Sequence, residues 1–351
     1  MVKFLIIGRG AMALLHASFL QSSSPEAEFA FLDQPGASLS LQLGVVPAGS
    51  EVVPLQSASV DISQAVAFID SSTAVLVCVK CHQIQTALEP IKTKLATAAV
   101  VVLLHNGLPS PATSAFLDRE LPACCSMVTS AGATLLLAEE IVEPYSIVSR
   151  ATGPGASFVF PRSPSVSSSS VPAELDALIS GIPSCSLLSH SEGSTEQLLK
   201  LAVNIALNGT LAYMALKPWK EANQDESQLR RVVNREMAPL LPLARNVAKL
   251  VLLRASAAGA FGNPSLLAAA SSGLAGERTA LTLESVPTNV CSTVVDINSG
   301  RRTERGALLD QVLAWGAAEG ESSEARDHLL EMNELLREWD FSRETGSPPN
   351  T

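Results

Sequence analysis

A chain of 351 residues with 47 % hydrophobic and 17 % charged residues is long enough for two cores and too apolar to be disordered. Its net charge of −10 at pH 7 excludes a general attraction for nucleic acid or an anionic membrane, so an anionic substrate requires local positive charge. The longest apolar run, about 96–104, is far short of the roughly 18 residues of a membrane span, and the six cysteines lack a secreted framework's spacing, so a cytoplasmic setting is expected.

Residues 2–7 (VKFLII) form an apolar run that ends in glycine, which predicts a strand buried on both faces. The charge at Arg9 interrupts what otherwise resembles a signal peptide over 1–19, and 11–20 reads as a helix. Residues 28–32, 74–79 and 98–104 are three more buried strands, with helical spacing over 82–96. This alternation predicts an α/β unit, a Rossmann-type doubly wound parallel sheet, with a shorter β-rich stretch over 123–160. A Pro/Ser-rich segment, 161–170, reads as a surface loop. Beyond Gly193 the pattern is helical nearly to the end, best over 194–216, 228–257, 287–298 and 303–319. The expected division is a dinucleotide-binding domain over 1–165, a Ser-rich insertion and connector over 166–192, and an all-helical C-terminal domain over 193–345.

Gly8-Arg9-Gly10-Ala11-Met12-Ala13 matches G-x-G-x-x-[G/A] between a strand and a helix, the context in which that pattern carries meaning. The first glycine allows the turn, the second lets backbone approach a pyrophosphate, and the small third residue lets helix and strand pack. Asp33 falls twenty residues later, where a carboxylate binds a ribose 2′-hydroxyl and repels a 2′-phosphate. Cys78-x-x-Cys81 hints at metal or redox chemistry. Without a second Cys or His pair at ligand spacing, buried free thiols are the better expectation. His16, His190 and His328 have no supporting pattern, and His105 reads as a strand-end residue.

Further segments follow in order: Val79-Lys80-Cys81-His82-Gln83, His105-Asn106-Gly107, TSAGAT over 129–134, Lys200-Leu201-Ala202-Val203-Asn204 with Asn208, and Ser292 followed by Asp296-Ile297 and Arg302-Thr303-Glu304. With the glycine turn, their order and spacing resemble the ketopantoate reductase (2-dehydropantoate 2-reductase) family over nearly the whole chain. The resemblance implies that Lys200 is the general acid and that Glu304 orders substrate and lysine. It implies that Asn106, Asn204, Asn208 and Ser292 bind substrate, and that Asn106 also lies beside the nicotinamide. Gly8, Arg9, Gly10, Ala11, Met12, Ala13, Asp33, Lys80 and Gln83 become the cofactor-binding set. Two departures stand out. The third glycine is Ala13, and the aromatic residue often found just before the lysine is missing from Thr195-Glu196-Gln197-Leu198-Leu199.

The chemistry fits the residue types. Hydride attack on a ketone builds negative charge on oxygen, which an ammonium can stabilise and protonate. Lys200, Asn204 and Asn208 recur at i, i+4 and i+8, a polar stripe on an otherwise apolar helix. The expected activity is reduction of a 2-keto acid, ketopantoate by default, with pantothenate biosynthesis as its setting. NADP(H) is the family's cofactor, and Asp33 leans toward NAD(H). A small-molecule partner, no nucleic acid or membrane, and a possible homodimer complete the expectation. Two alternatives stay open: a non-catalytic NAD(P)-binding regulatory protein of the same fold, and another 2-keto or 3-hydroxy acid dehydrogenase.

Overall fold

The computed structural model describes residues 1–32, 43–46, 52–55, 58–135, 147–153, 155–164, 172–260, 265–285 and 290–345. The chain forms two compact units. One comprises Met1–His105 and Pro109–Ser194, the other Asn106–Leu108 and Thr195–Thr351.

Unit 1 is built on an eight-stranded sheet. Its strands are β1 (Lys3–Ile7), β2 (Glu28–Leu32), β5 (Ala58–Val60), β6 (Thr73–Val77), β7 (Val100–Leu104), β8 (Cys125–Thr129), β11 (Ser157–Pro161) and β12 (Cys185–Leu187). Their order is β12-β11-β8-β7-β6-β1-β2-β5, and every pairing is parallel except β11 with β8. From β5 to β8 this is the Rossmann order 3-2-1-4-5-6, with its switch point between β1 and β6. Phe4, Leu5, Ile6, Ala74, Val75 and Leu76 are fully buried, as the unbroken apolar runs require of strands covered on both faces.

Beside it lies a smaller sheet, ordered β4-β3-β10-β9, of β3 (Leu43–Val46), β4 (Val53–Pro54), β9 (Gly132–Leu135) and β10 (Ile147–Gly153). It packs on α1 (Ala11–Ser23), which is thus enclosed between two sheets and shares their apolar cluster. Helix α2 (Ile62–Phe68) starts at Asp61, which accepts from the Gln64 N–H while Gln64 reaches back to the Asp61 N–H. The spacing over 82–96 predicts one helix. Pro90 divides it into α3 (Ile84–Leu88) and α4 (Lys92–Leu95) with 3₁₀ turns at their starts. Helix α5 (Pro111–Glu120) begins after a Ser110 cap with proline at its first position.

Residues 166–192 read as an insertion and connector, but 173–187 belong to unit 1's framework. Helix α6 (Ala173–Gly181) packs on α1, and β12 extends the main sheet. Phe160 leaves no room for a side chain at Gly193, where a Cβ would lie 2.0 Å from its ring. Residues 165–171 of the Pro/Ser-rich segment lie outside the described residues.

Unit 2 is helical. Helices α7 (His190–Asn204) and α8 (Thr210–Glu221) are joined by a π turn, Ile205–Gly209, into one rod. By length and composition the span 190–221 could cross a membrane, although no run in the sequence suggests it, and 67 % of its apolar window is buried in the fold. The other helices are α9 (Leu241–Ala257), α10 (Ser265–Ser271), α11 (Leu274–Ser285), α12 (Ser292–Asn298), α13 (Gln311–Ala314) and α14 (Ser323–Thr345). The helix predicted over 228–257 starts only at 241, after a 3₁₀ turn Asn234–Leu240, because Pro239 and Pro242 cannot continue a hydrogen-bonded ladder. The helix predicted over 303–319 is a π turn, Gly306–Asp310, followed by α13, and it stops before Gly316 at φ +75°. Helix α14 packs across α8 and α9, with Trp219 and Trp339 edge to face at 5.6 Å.

Candidate active site

In unit 1 the glycine turn leaves β1 at the switch point. Gly8 has φ +104°, and a Cβ there would stand 2.6 Å from the Cys78 carbonyl oxygen at the end of β6. Only glycine fits this turn. Gly10 is the N-cap of α1, and a Cβ there would meet nothing within 4 Å. Open space therefore faces a helix start that has no capping side chain and no acidic residue in its first turn. That is the setting a pyrophosphate needs: backbone N–H groups, the positive end of a helix and no competing carboxylate. Ala13 is fully buried, as close helix packing requires, while Ala11 and Met12 begin the helix. Arg9 turns toward the β5 side, where its Nη2 donates to Ser59 Oγ at 2.6 Å. The residues present fit a dinucleotide.

In unit 2 the rod of α7 and α8 carries Lys200, Asn204 and Asn208, each half-buried among buried Leu198, Leu199, Leu201, Ala202, Ile205 and Leu207. On a regular α-helix an i+8 residue drifts roughly 80° from residue i. The π turn at Ile205–Gly209 is bonded i to i+5 and advances less per residue, which swings Asn208 back toward the Lys200–Asn204 line. The sequence pattern shows the stripe; the device that straightens it is not visible there.

Asn106 and Glu304 meet in the same unit. Asn106 Nδ2 donates to Glu304 Oε2 at 3.3 Å. The tripeptide 106–108 is fixed by Gly107, whose φ of +73° lets the chain come so close to Ala307 that a Cβ would lie 2.3 Å from its carbonyl oxygen. Leu108 N–H donates to that same carbonyl at 2.9 Å. Glu304 itself is buried and begins a helical turn, its backbone carbonyl accepting from the Leu308 N–H.

Lys200 keeps some solvent-accessible surface, yet desolvation of its ammonium dominates and lowers its pKa to about 8. The Glu304 carboxylate acts in the opposite direction and favours the charged form. Burial without the carboxylate would depress the lysine further. With it, the ammonium stays the main species at pH 7 while being a far stronger acid than a free lysine, which is what proton donation near neutrality needs.

The remaining expected site residues fall as follows. Ser292 is exposed at the first position of α12. Lys80 and Gln83 are half-buried after β6, and the Gln83 side-chain oxygen accepts from the Lys80 N–H at 3.2 Å, which holds that turn. Asp33 lies outside the described residues. All six cysteines are free, and burial pushes the Cys78 thiol far up. Cys81 Sγ lies 3.5 Å from His105 Nδ1. No cluster that could hold a metal ion occurs among the described residues. His16 and His190 bond backbone carbonyls, and His328 packs edge-on to Tyr213. Sequence patterns miss Thr303 and Asp340, a buried hydrogen-bonded pair directly behind Glu304. Thr303 stands in the segment that carries the resemblance; Asp340, in a charged terminal helix, gives no signal.

Residues 4–142 match the family model described as ketopantoate reductase PanE/ApbA. Over these residues, well under half of the chain, it is similar to the ketopantoate reductase family. The matched stretch holds the glycine turn and Asn106. No curated protein matches the chain by sequence. Among solved structures, the 2-dehydropantoate 2-reductase of Geobacter metallireducens GS-15 is similar at TM-score 0.66 and 19 % identity, over 96 % of this chain and 99 % of that one. A PanE/ApbA family ketopantoate reductase of Ralstonia eutropha JMP134 is similar at 0.66 and 19 %, over 98 % and 100 %. A D-mandelate dehydrogenase in a ternary structure with NADH and anilino(oxo)acetate is similar at 0.67 and 16 %, over 98 % and 100 %. At these identities the structural likeness shows the fold alone, a Rossmann sheet followed by helices, over 96–98 % of this chain.

Proposed function

We propose that this protein reduces a 2-keto acid to the 2-hydroxy acid at the expense of a reduced nicotinamide, with ketopantoate as the default substrate. The observation that carries this reading is Lys200, desolvated to a pKa of about 8 beside a buried Glu304 that Asn106 holds. The dinucleotide, when bound, supplies the hydride. Gly8 to Ala13 and Arg9 hold its phosphates and ribose side, as the open space at Gly10 favours. Lys200 Nζ donates a proton to the substrate oxygen as negative charge develops there, and solvent returns that proton. Asn204 and Asn208 bind the carbonyl and hydroxyl groups of the substrate, and Ser292 donates to its carboxylate. Glu304 keeps the ammonium charged between turnovers.

Reduction of an aryl 2-keto acid is the second reading, favoured by the likeness to D-mandelate dehydrogenase. It shares the mechanism and differs in the pocket. The test is oxidation of NADH and NADPH in the presence of ketopantoate, short aliphatic 2-keto acids and an aryl 2-keto acid. Turnover of one of them, lost in Lys200→Ala, is the expected result. Binding of a nicotinamide without turnover of any keto acid would overturn the reading in favour of a non-catalytic binding protein. We extend the same reading to a cytoplasmic setting and to a homodimer without nucleic-acid or membrane partners.

A further inference from the structure

The carboxylate of Asp340, on α14, faces the segment that carries Glu304. Its Oδ1 accepts from the Thr303 N–H at 2.7 Å and from Thr303 Oγ1 at 3.0 Å, and its Oδ2 lies 3.0 Å from the same hydroxyl. With the hydroxyl proton turned to Asp340, Thr303 Oγ1 accepts from the Arg305 N–H at 3.3 Å. Both side chains are buried, Thr303 at 2 % and Asp340 at 6 % exposure. Two more bonds from α14 clamp the same stretch: Trp339 Nε1 donates to the Arg301 carbonyl at 3.0 Å, and Asn333 Oδ1 accepts from Arg305 Nη1 at 3.0 Å. The Arg305 guanidinium also stands 4.0 Å from Asp340 and is paired with Asp310. Residues 301–305 have no regular ladder of their own before the helical turn at 304–308, so their backbone path is set by these side chains.

We propose that Asp340 is a positioning residue for the site: through Thr303 it fixes the backbone on either side of Glu304 and so sets where the Glu304 carboxylate lies relative to Asn106 and Lys200. Asp340 touches neither substrate nor cofactor in this scheme. It acts as a carboxylate partner delivered from a helix 37 residues away in sequence, satisfying the Thr303 N–H and O–H just before a helix start. The buried carboxylate is retained there because the alternative, an apolar residue, would leave the Thr303 N–H and hydroxyl without partners.

This inference rests on the proposed roles of Lys200 and Glu304, and its test is made separable from them. The titration of Lys200 is followed by pH-dependent acylation of intact protein, read peptide by peptide by mass spectrometry, which needs no turnover. In Glu304→Gln the apparent pKa of Lys200 should fall below the wild-type value. Asp340→Ala should move it in the same direction, and the Glu304→Gln/Asp340→Ala double variant should match Glu304→Gln alone. Activity should follow the same pattern: kcat lower by at least about tenfold in Asp340→Ala, the scale of a slightly misplaced group, with no further loss on the Glu304→Gln background. If Asp340→Ala does not fold, Thr303→Val decides: it should shift Lys200 in the same direction, while Thr303→Ser keeps the wild-type titration. An unmoved Lys200 titration in the folded variant, or losses that simply add to those of Glu304→Gln, would overturn the positioning role. Normal turnover in Lys200→Ala would instead overturn the proposed function and leave the titration result standing on its own.

Discussion

Asn106 and Glu304, 198 positions apart in the sequence, share one hydrogen bond of 3.3 Å within the helical unit. That bond joins the tripeptide after β7 to the segment that α14 clamps, and it occupies one side of the carboxylate that tunes Lys200. The arrangement makes each of the three residues answerable to a separate measurement.

On the proposed mechanism, Lys200→Ala removes the proton donor. A positioned acid contributes roughly 10² to 10⁴ in rate, so kcat for the best 2-keto acid should fall at least about a hundredfold. Lys200 and the glycine turn belong to different units, so NADH affinity measured by fluorescence titration should stay within about twofold. Near-normal turnover would remove Lys200 from the mechanism.

The pH profile follows from the direction of the lysine's shift. In the proposed mechanism the ammonium is the active form in reduction, so kcat should be flat below about pH 8 and fall as the pH rises through that value. Oxidation of the 2-hydroxy acid needs the free amine and should rise over the same window. Removing the carboxylate in Glu304→Gln takes away the influence that raises the lysine's pKa, so both limbs should move to lower pH. Limbs that stay put in Glu304→Gln would assign the titration to another group.

Gly107 is the pivot of the Asn106 bond. Alanine there would hold a left-handed backbone at about 1–3 kcal/mol of strain, and its Cβ would collide with the Ala307 carbonyl. Gly107→Ala should lower the urea midpoint and, by displacing Asn106, lower kcat. A variant with wild-type midpoint and wild-type kcat would show that the close approach at Ala307 has no consequence.

Much of unit 1 is legible in the sequence because parallel strands are buried on both faces and leave unbroken apolar runs such as FLII and AVLV. Of the small sheet, β9 and β10 fall in the β-rich stretch read over 123–160, whereas β3 and β4 (Val53–Pro54) are short, carry no such run, and join the sheet through the distant pairing of β3 with β10. Prolines decide where periodicity misleads: Pro90 divides one helix, and Pro239 delays the start of another, that spacing alone would make continuous. In the site, Lys200 and Asn204 are one α-turn apart and read directly. Glu304 and Asn106 can each be placed by resemblance, but the bond between them and the Thr303–Asp340 pair behind it depend on packing that no local pattern encodes. Helix α14 shows why. It is rich in charged residues, yet Trp339 and Asp340 are buried.

The choice of nicotinamide sets a carboxylate against a guanidinium. Asp33, at the position where a ribose-binding acid falls, would oppose a 2′-phosphate. At about 4 Å and an effective dielectric near 20 each unit-charge pair costs roughly 4 kcal/mol, and solvent and salt at a pocket rim reduce this to about 1–2 kcal/mol. That is still about a tenfold preference for NADH. Arg9 works the other way, but its Nη2 is already engaged by Ser59 at 2.6 Å, so a phosphate would have to share or displace that bond. The expected outcome is a kcat/KM ratio favouring NADH, a gain for NADPH in Asp33→Ala, and a loss in Arg9→Ala that is larger for NADPH than for NADH. A strong preference for NADPH that Asp33→Ala leaves untouched would show that this carboxylate does not face the ribose, and would make Arg9 the dominant charge at the adenosine end.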